Sequence, residues 1–214
     1  MKKSIVLITI VSIFIFSGIT SATLWDRGNG LIYDDVLDIT WLQDANYAKT
    51  SGYDADGTMT WNASIDWADQ LSYGGYDDWR LPDSHSYLDG SLATSGFVND
   101  SEMGYMFHVN LKGISGNSNF TDGNEDNISF FNLVSYMYWS ETTYSITWGN
   151  HEERGMALSF SNGSQSFYPK ETSLYAWAVR DGDVSSSVPV PASMLLLASG
   201  LAGLAGFRQK LRKV

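Results

Sequence analysis

All eight tryptophans and all twelve tyrosines of this 214-residue chain fall between Thr23 and Ser187, and no cysteine accompanies them. A segment so aromatic does not behave as a disordered acidic tail. With no disulfide or thiolate metal site to staple it, apolar packing has to hold it together. About 165 residues suffice to enclose such a core in one domain. The same segment holds all 24 acidic residues against seven basic ones, Arg27, Lys49, Arg80, Lys112, Arg154, Lys170 and Arg180, a net charge of −17, which the tails soften to −11 for the chain. A field of that sign repels nucleic acid, anionic membrane surfaces and sulfated polysaccharides.

The two ends read as addresses. Met1-Lys2-Lys3, an apolar run from Ile5 to Phe16 and the small residues up to Ala22 make residues 1–22 a secretory signal peptide cleaved after Ala22. The apolar run is shorter than the ~20 residues of a membrane span, which favours cleavage over retention as an anchor. At the other end, residues 185–191 form a serine-rich linker ending in Val188-Pro189-Val190-Pro191. Residues 192–207 form a small and apolar run, and residues 208–214 a basic tail. The run reaches roughly 24 Å as a helix, workable as a short transmembrane helix with snorkelling flanks. The basic tail would stay in the cytoplasm and leave the domain outside. This tail resembles the PEP-CTERM sorting signal, with Val190 where that signal carries Glu. The resemblance implies a Gram-negative host that exports polysaccharide, a sorting protease of the exosortase type as partner, and a cell-surface or matrix destination.

Within the middle, Asn29-Gly30 and Asn162-Gly163 are the strongest turn signals, the second between alternating runs over 156–160 and 165–168 that predict a hairpin. Leu31 to Tyr33, Ile39 to Leu42, Tyr136 to Trp139 and Tyr175 to Val179 predict further short strands. Two helices are expected. Thr60 caps the first, whose Trp61, Ile65, Ala68 and Leu71 share a face, and Asp100 caps the second, through Met103, Met106 and Phe107. Gly113 to Asn127 reads as one long loop. The fold class is α+β, a single domain over 23–184 of mostly short antiparallel strands.

Gly30-Leu31-Ile32-Tyr33-Asp34 with Thr40-Trp41-Leu42, the stretch Tyr73 to Pro82 that ends in Trp79-Arg80-Leu81-Pro82, Tyr138-Trp139-Ser140, and Tyr175 to Asp183 form a series similar to the Lcl C-terminal domain family. The resemblance implies a C-type-lectin-like fold related to the formylglycine-generating enzymes. Those enzymes depend on cysteines, and this chain has none.

Function is written less plainly. Asp54-Ala55-Asp56-Gly57 and Asp122-Gly123-Asn124-Glu125-Asp126-Asn127 offer oxygen ligands to calcium, with Asp54, Asp56, Asp122, Asn124 and Asp126 as the ligands. The first lacks the glutamate of a full twelve-residue loop, because Ile65 stands there. The alternative for both is a solvated acidic loop. Arg80 and Arg180 read either as planar anchors for a carboxylate or sugar or as structural partners of Asp77 or Asp78. Tyr73, Tyr76, Tyr136, Tyr144 and Trp148 lie near Gly, Asn and Asp, where a ring can stack on a sugar or simply fill the core. Of these, Arg80, Arg180, Tyr144 and Trp148 are the ligand-binding candidates. His85, His108 and His151 form no metal-protease motif, and no Gly-x-Ser-x-Gly elbow occurs. The expectation is an exported surface or matrix protein with a non-catalytic binding domain. The alternatives are a calcium-dependent glycan-binding adhesin and an extracellular enzyme. Extracellular polysaccharide and the membrane are the expected partners, and nucleic acid is not.

Overall fold

In a computed structural model of the chain, residues 24–113, 119–121, 128–146 and 153–184 are described. The expected signal peptide, the expected sorting motif, the helix expected over 192–207 and the basic tail lie outside the described residues, as do Asp122, Asn124, Asp126, Trp148 and His151.

The first strands follow from one turn. Asn29 and Gly30 take φ of 54° and 77°, the hand that matches strand twist, and join β1 (Leu24–Gly28) to β2 (Leu31–Asp34). A Cβ on residue 30 would lie 2.3 Å from the Tyr73 hydroxyl, a second reason for glycine. After β3 (Ile39–Leu42) come the short helix α1 (Tyr47–Thr50), β4 (Thr58–Met59) and the helix α2 (Trp61–Asp69). Thr60 caps α2 as its sequence predicts, its hydroxyl accepting from the Ala63 amide at 3.4 Å. Next are β5 (Gly96–Phe97), α3 (Glu102–Tyr105) and a π-helical turn over Met106–Asn110. Seven strands follow: β6 (Asn119–Thr121), β7 (Ser129–Phe131), β8 (Met137–Ser145), β9 (Glu153–Ser159), β10 (Ser164–Pro169), β11 (Leu174–Tyr175) and β12 (Val179–Asp181).

The strands form a four-stranded sheet ordered β1-β2-β3-β12, a six-stranded sheet ordered β4-β11-β8-β9-β10-β5, and the pair β6-β7. Every pairing is antiparallel except that of β11 with β8. Among the described residues, three short α-helices beside twelve strands make the domain α+β, as expected. Among the described residues no helix is long and apolar enough to cross a membrane.

The chain passes from one sheet to the other between Tyr175 and Val179, and that passage carries the centre of the core. Trp177 is fully buried, its ring 4.7 Å from Trp41, 5.1 Å from Phe130 and 5.6 Å from Phe160. Its Nε1 donates to the Leu42 carbonyl at 2.6 Å, so the largest apolar side chain is buried without stranding its donor. Trp41, Trp67, Trp79 and Trp139 are buried with it. Most tryptophans thus answer to the core.

Four local expectations need correction. Tyr175 to Val179 is two strands in two sheets rather than one. Ser101, not Asp100, caps α3, accepting from the Gly104 amide at 3.2 Å; it is fully buried and also donates to Gln165 Oε1, a tertiary bond that a neighbouring aspartate on the surface does not offer. The stretch from Gly113 to Asn127 contains β6, paired in register with β7. Helix α1, one turn long, carries no periodicity that a sequence could show.

Candidate functional site

The arginines are the natural place to start, because each extends from a strand edge where a ligand could reach it. Arg80 bridges backbone to backbone with Val179, which aims its side chain at a ring of carboxylates. Nε donates to Asp181 Oδ1 at 3.0 Å, Nη1 to Glu102 Oε2 at 2.9 Å and to the Leu81 carbonyl at 3.0 Å. Nη2 donates to Glu102 Oε1 at 2.7 Å and Asp181 Oδ1 at 2.6 Å. All five donors of the fork are engaged. Burial alone would push the guanidinium down, and the hydrogen bonds and charge of Glu102 and Asp181 reverse that, holding it above its ordinary value. Its partners are therefore not Asp77 or Asp78.

Asp78 belongs to Arg180 instead, through paired bonds of 2.7 Å to Nε and Nη2. The Arg180 guanidinium lies 4.1 Å over the Tyr76 ring, and its Nη1 is buried without an acceptor. That pairing holds the Asp78 carboxyl below its usual range. The two arginines tie loops to strands, and both forks are committed to carboxylates, with the Arg80 side chain 24% exposed and that of Arg180 10%.

Asp54 and Asp56 are likewise occupied. Asp54 Oδ1 accepts from the amides of Asp56 and Gly57, and Asp56 Oδ1 from the amide and hydroxyl of Thr58, the pattern of consecutive Asx turns. Among the described residues no group of three or more His, Asp and Glu side chains is placed to hold a metal. Asp83 Oδ1 lies 2.7 Å from His85 Nδ1 and accepts from Thr142 Oγ1 at 2.5 Å. Among the described residues no serine or threonine hydroxyl bonds that imidazole. Tyr144 stacks on Phe167 at 5.0 Å and 21°, which spends one of its faces.

A different feature is open to solvent. Over the six-stranded sheet runs a groove of 430 Å³, within the range of small-ligand sites. Its aromatic walls are Tyr136 and Tyr168, and its remaining surface comes from Met137, Leu174, Thr172 and the β9–β10 hairpin, residues Ser159, Ser161, Asn162 and Ser164. The sequence makes the hollow by putting small residues where β9 turns into β10. Gly163 takes φ of 75°, Ser159 Oγ and Ser161 Oγ share a 2.6 Å bond, and Asn162 Oδ1 accepts from the amide and hydroxyl of Ser164. Tyr136 is 52% exposed, yet its ring is set by an edge contact with Tyr175 at 6.2 Å. Tyr168 is set by Trp139 at 6.4 Å. Burial first, and the adjacent Tyr136 second, push the Tyr168 hydroxyl above its ordinary value. Among the described residues no charged side chain lines the groove.

A second hollow of 420 Å³ is lined by Asn46, Lys49, Thr50, Asn132, Leu133 and Val134. It offers one amine and no aromatic ring. The buried Asn46 Oδ1 in its wall has no hydrogen bond, and it sits against Gly57, where a Cβ would come 1.9 Å away.

Of the groove residues, sequence reading singled out Tyr136. The Asn162-Gly163 hairpin signal placed the serines together on one turn, but nothing local says that Tyr136 and Tyr168 face them.

No curated protein and no solved structure matches the chain. Residues 187–213 match the PEP-CTERM protein-sorting motif, which indicates export and C-terminal sorting to the cell envelope by exosortase-type machinery. Residues 30–180, well over half the chain, match the Lcl C-terminal domain model, from the turn before β2 to Arg180 in β12. The chain belongs to the Lcl C-terminal domain family.

Proposed function

We propose that this is a cell-surface or extracellular-matrix protein of a Gram-negative bacterium whose domain, C-type-lectin-like in kind, binds an extracellular ligand without transforming it. In this reading residues 1–22 are removed on export. The segment 192–207 holds the chain in the membrane until the sorting protease acts near Val188-Pro189-Val190-Pro191. The observation that carries the binding role is the groove lined by Tyr136 and Tyr168, a ligand-sized hollow with pre-set aromatic rings, while Arg80 and Arg180 are committed to ion pairs within the domain. Extracellular polysaccharide is the partner that such a hollow suits. Calcium has two candidate loops, one with Asp122, Asn124 and Asp126, the other with Asp54 and Asp56, where one oxygen of each carboxylate already serves backbone amides.

The test is to incubate the exported protein with polysaccharide from its own host and measure both retention and new reducing ends. Retention without new ends is expected. Release of reducing ends at a rate proportional to protein would replace the binding role with an enzymatic one.

A further inference from the structure

We infer that the groove over β8, β9 and β10 takes an uncharged glycan, a run of neutral pyranose rings, and does so without a metal ion. This rests on the reading of the domain as a binding module and names its ligand class. The lining matches a pyranose, which has an apolar C–H face on each side and hydroxyls around its edge. Tyr136 and Tyr168 present ring faces for the first, and Ser161, Asn162 and Thr172 present donors and acceptors for the second. Asn162 spends its Oδ1 on Ser164, and its Nδ2 has no acceptor among the described residues, leaving donors for a ligand. Because Tyr175 and Trp139 already fix the two rings, little side-chain freedom is lost on binding.

The competing ligand classes fail on specific grounds. A peptide added as a strand needs free strand backbone to pair with, whereas β8, β9 and β10 are already hydrogen-bonded to one another. A lipid chain would bury Asn162 Nδ2 and the Thr172 hydroxyl of the lining against hydrocarbon and leave their hydrogen-bonding capacity unmet. Nucleotides and acidic sugars bring negative charge to a domain of net −17, with no cation in the groove to receive it. The absence of charge among the described residues of this lining, in so acidic a domain, is what selects a neutral ligand.

The experiment measures retardation of the exported protein in native gels containing neutral polysaccharides, namely dextran, laminarin, galactomannan and hydroxyethyl cellulose, with polygalacturonate as the anionic arm and each arm repeated with chelator. Retardation by at least one neutral matrix, unchanged by chelator, is expected. Tyr136→Ala should weaken it roughly tenfold, as expected for loss of one aromatic face and its edge contacts. Tyr136→Phe should keep most of it, and Trp25→Ala, on the other sheet, should change nothing. Tyr136 is half exposed, so its loss leaves folding intact. Failure of every neutral matrix, equal retardation of wild type and Tyr136→Ala, or loss of retardation with chelator overturns the inference. Retardation by polygalacturonate alone would overturn it while leaving the binding reading in place. Shortening of the neutral polymer would leave the site assignment in place and overturn the binding reading.

Discussion

At one edge of the molecule Arg80 draws in Glu102, Asp181 and the Leu81 carbonyl until no donor is left over; over the six-stranded sheet the Tyr136 groove gathers hydroxyls, an amide and rings with no ion at all. The first region contains the residue types that usually suggest a binding site, yet it is closed. The second is built from residues that look ordinary in sequence, yet it is open. In a domain with 24 carboxylates, a guanidinium is scarce and is drawn into structural pairing. In the proposed reading, recognition is left to groups for which the carboxylates do not compete.

The largest test of that contrast is Arg80→Ala. Glu102 is only 12% exposed in its side chain and would keep the Asp83 amide as its bonded partner. Removing one member of a buried pair strands the other, and a loss of about 3 kcal/mol is expected in urea unfolding. Retardation by neutral polysaccharide, measured below the lowered melting temperature, should be unchanged. A stable variant that no longer binds would make Arg80 the ligand anchor and reverse the comparison.

Asp34 sharpens the point from the other side, because it is a buried carboxylate with no cation. Burial first pushes its carboxyl from 3.8 up to about 6, although the Leu37 and Val36 amides and Asn110 Nδ2 all donate to it, and the neighbouring Asp35 pushes it the same way. Between pH 3.8 and 6 the folded state therefore holds a proton that the unfolded state has released, so this group's contribution to stability falls as pH rises and levels off above about 6. Asp34→Asn should remove that slope and raise stability near pH 7.5 by on the order of 2 kcal/mol. The Asn110 Oδ1, buried without a donor, can turn to accept from the new amide. Unfolding curves of both proteins from pH 4 to 8 provide the check, and parallel pH profiles would count against it.

Gly155 tests the groove floor. A Cβ there would stand 2.4 Å from Trp61 Cδ1 and 2.9 Å from Trp139, and both rings are anchored, Trp61 Nε1 to the Ser140 carbonyl and Trp139 Nε1 to the Met59 carbonyl. Gly155→Ala should cost about 1–2 kcal/mol by overpacking. Gly155 pairs with Tyr168, which rests on Trp139, so neutral-glycan retardation should weaken as well. Unchanged retardation would place the ligand away from Tyr168.

How much of this could be read in the sequence depended on distance along the chain. The Asn29-Gly30 turn, the Thr60 cap, the Asn162-Gly163 hairpin and the burial of Trp79 and Leu81 are set by residues within one turn or one strand, and each is found where local chemistry places it. The partners of Arg80 stand 22 and 101 positions away, and composition with so many acids offers no way to choose among them. The split of residues 175–179 between two sheets is invisible for the same reason: Trp177 looks like a strand residue until both sheets exist to pack on it. The groove follows this rule residue by residue, with its serines local to one hairpin and Tyr136 brought from the start of β8.

Arg180→Lys carries the smallest expected effect and isolates the geometry of the fork. Lysine keeps the charge, and one amine can still reach Asp78, so what disappears is the paired bonding and the flat stacking on Tyr76 at 4.1 Å. Against that loss, the Nη1 now buried without an acceptor goes too, which returns part of the desolvation cost. Asp78 is 54% exposed in its side chain, so solvent screens the charge lost to it. The balance is a destabilisation of about 0.5–1 kcal/mol, with the Asp78 carboxyl moving back toward its ordinary range and the stability it contributes above that range declining. Thermal unfolding at pH 7 and at steps from pH 4 down to pH 2 measures both: the gap between wild type and Arg180→Lys should narrow below about pH 4, as Asp78 protonates. A gap that stayed constant would assign the effect to the Tyr76 stack rather than to the ion pair, and a loss of polysaccharide retardation would move Arg180 from the closed region of the molecule to the open one.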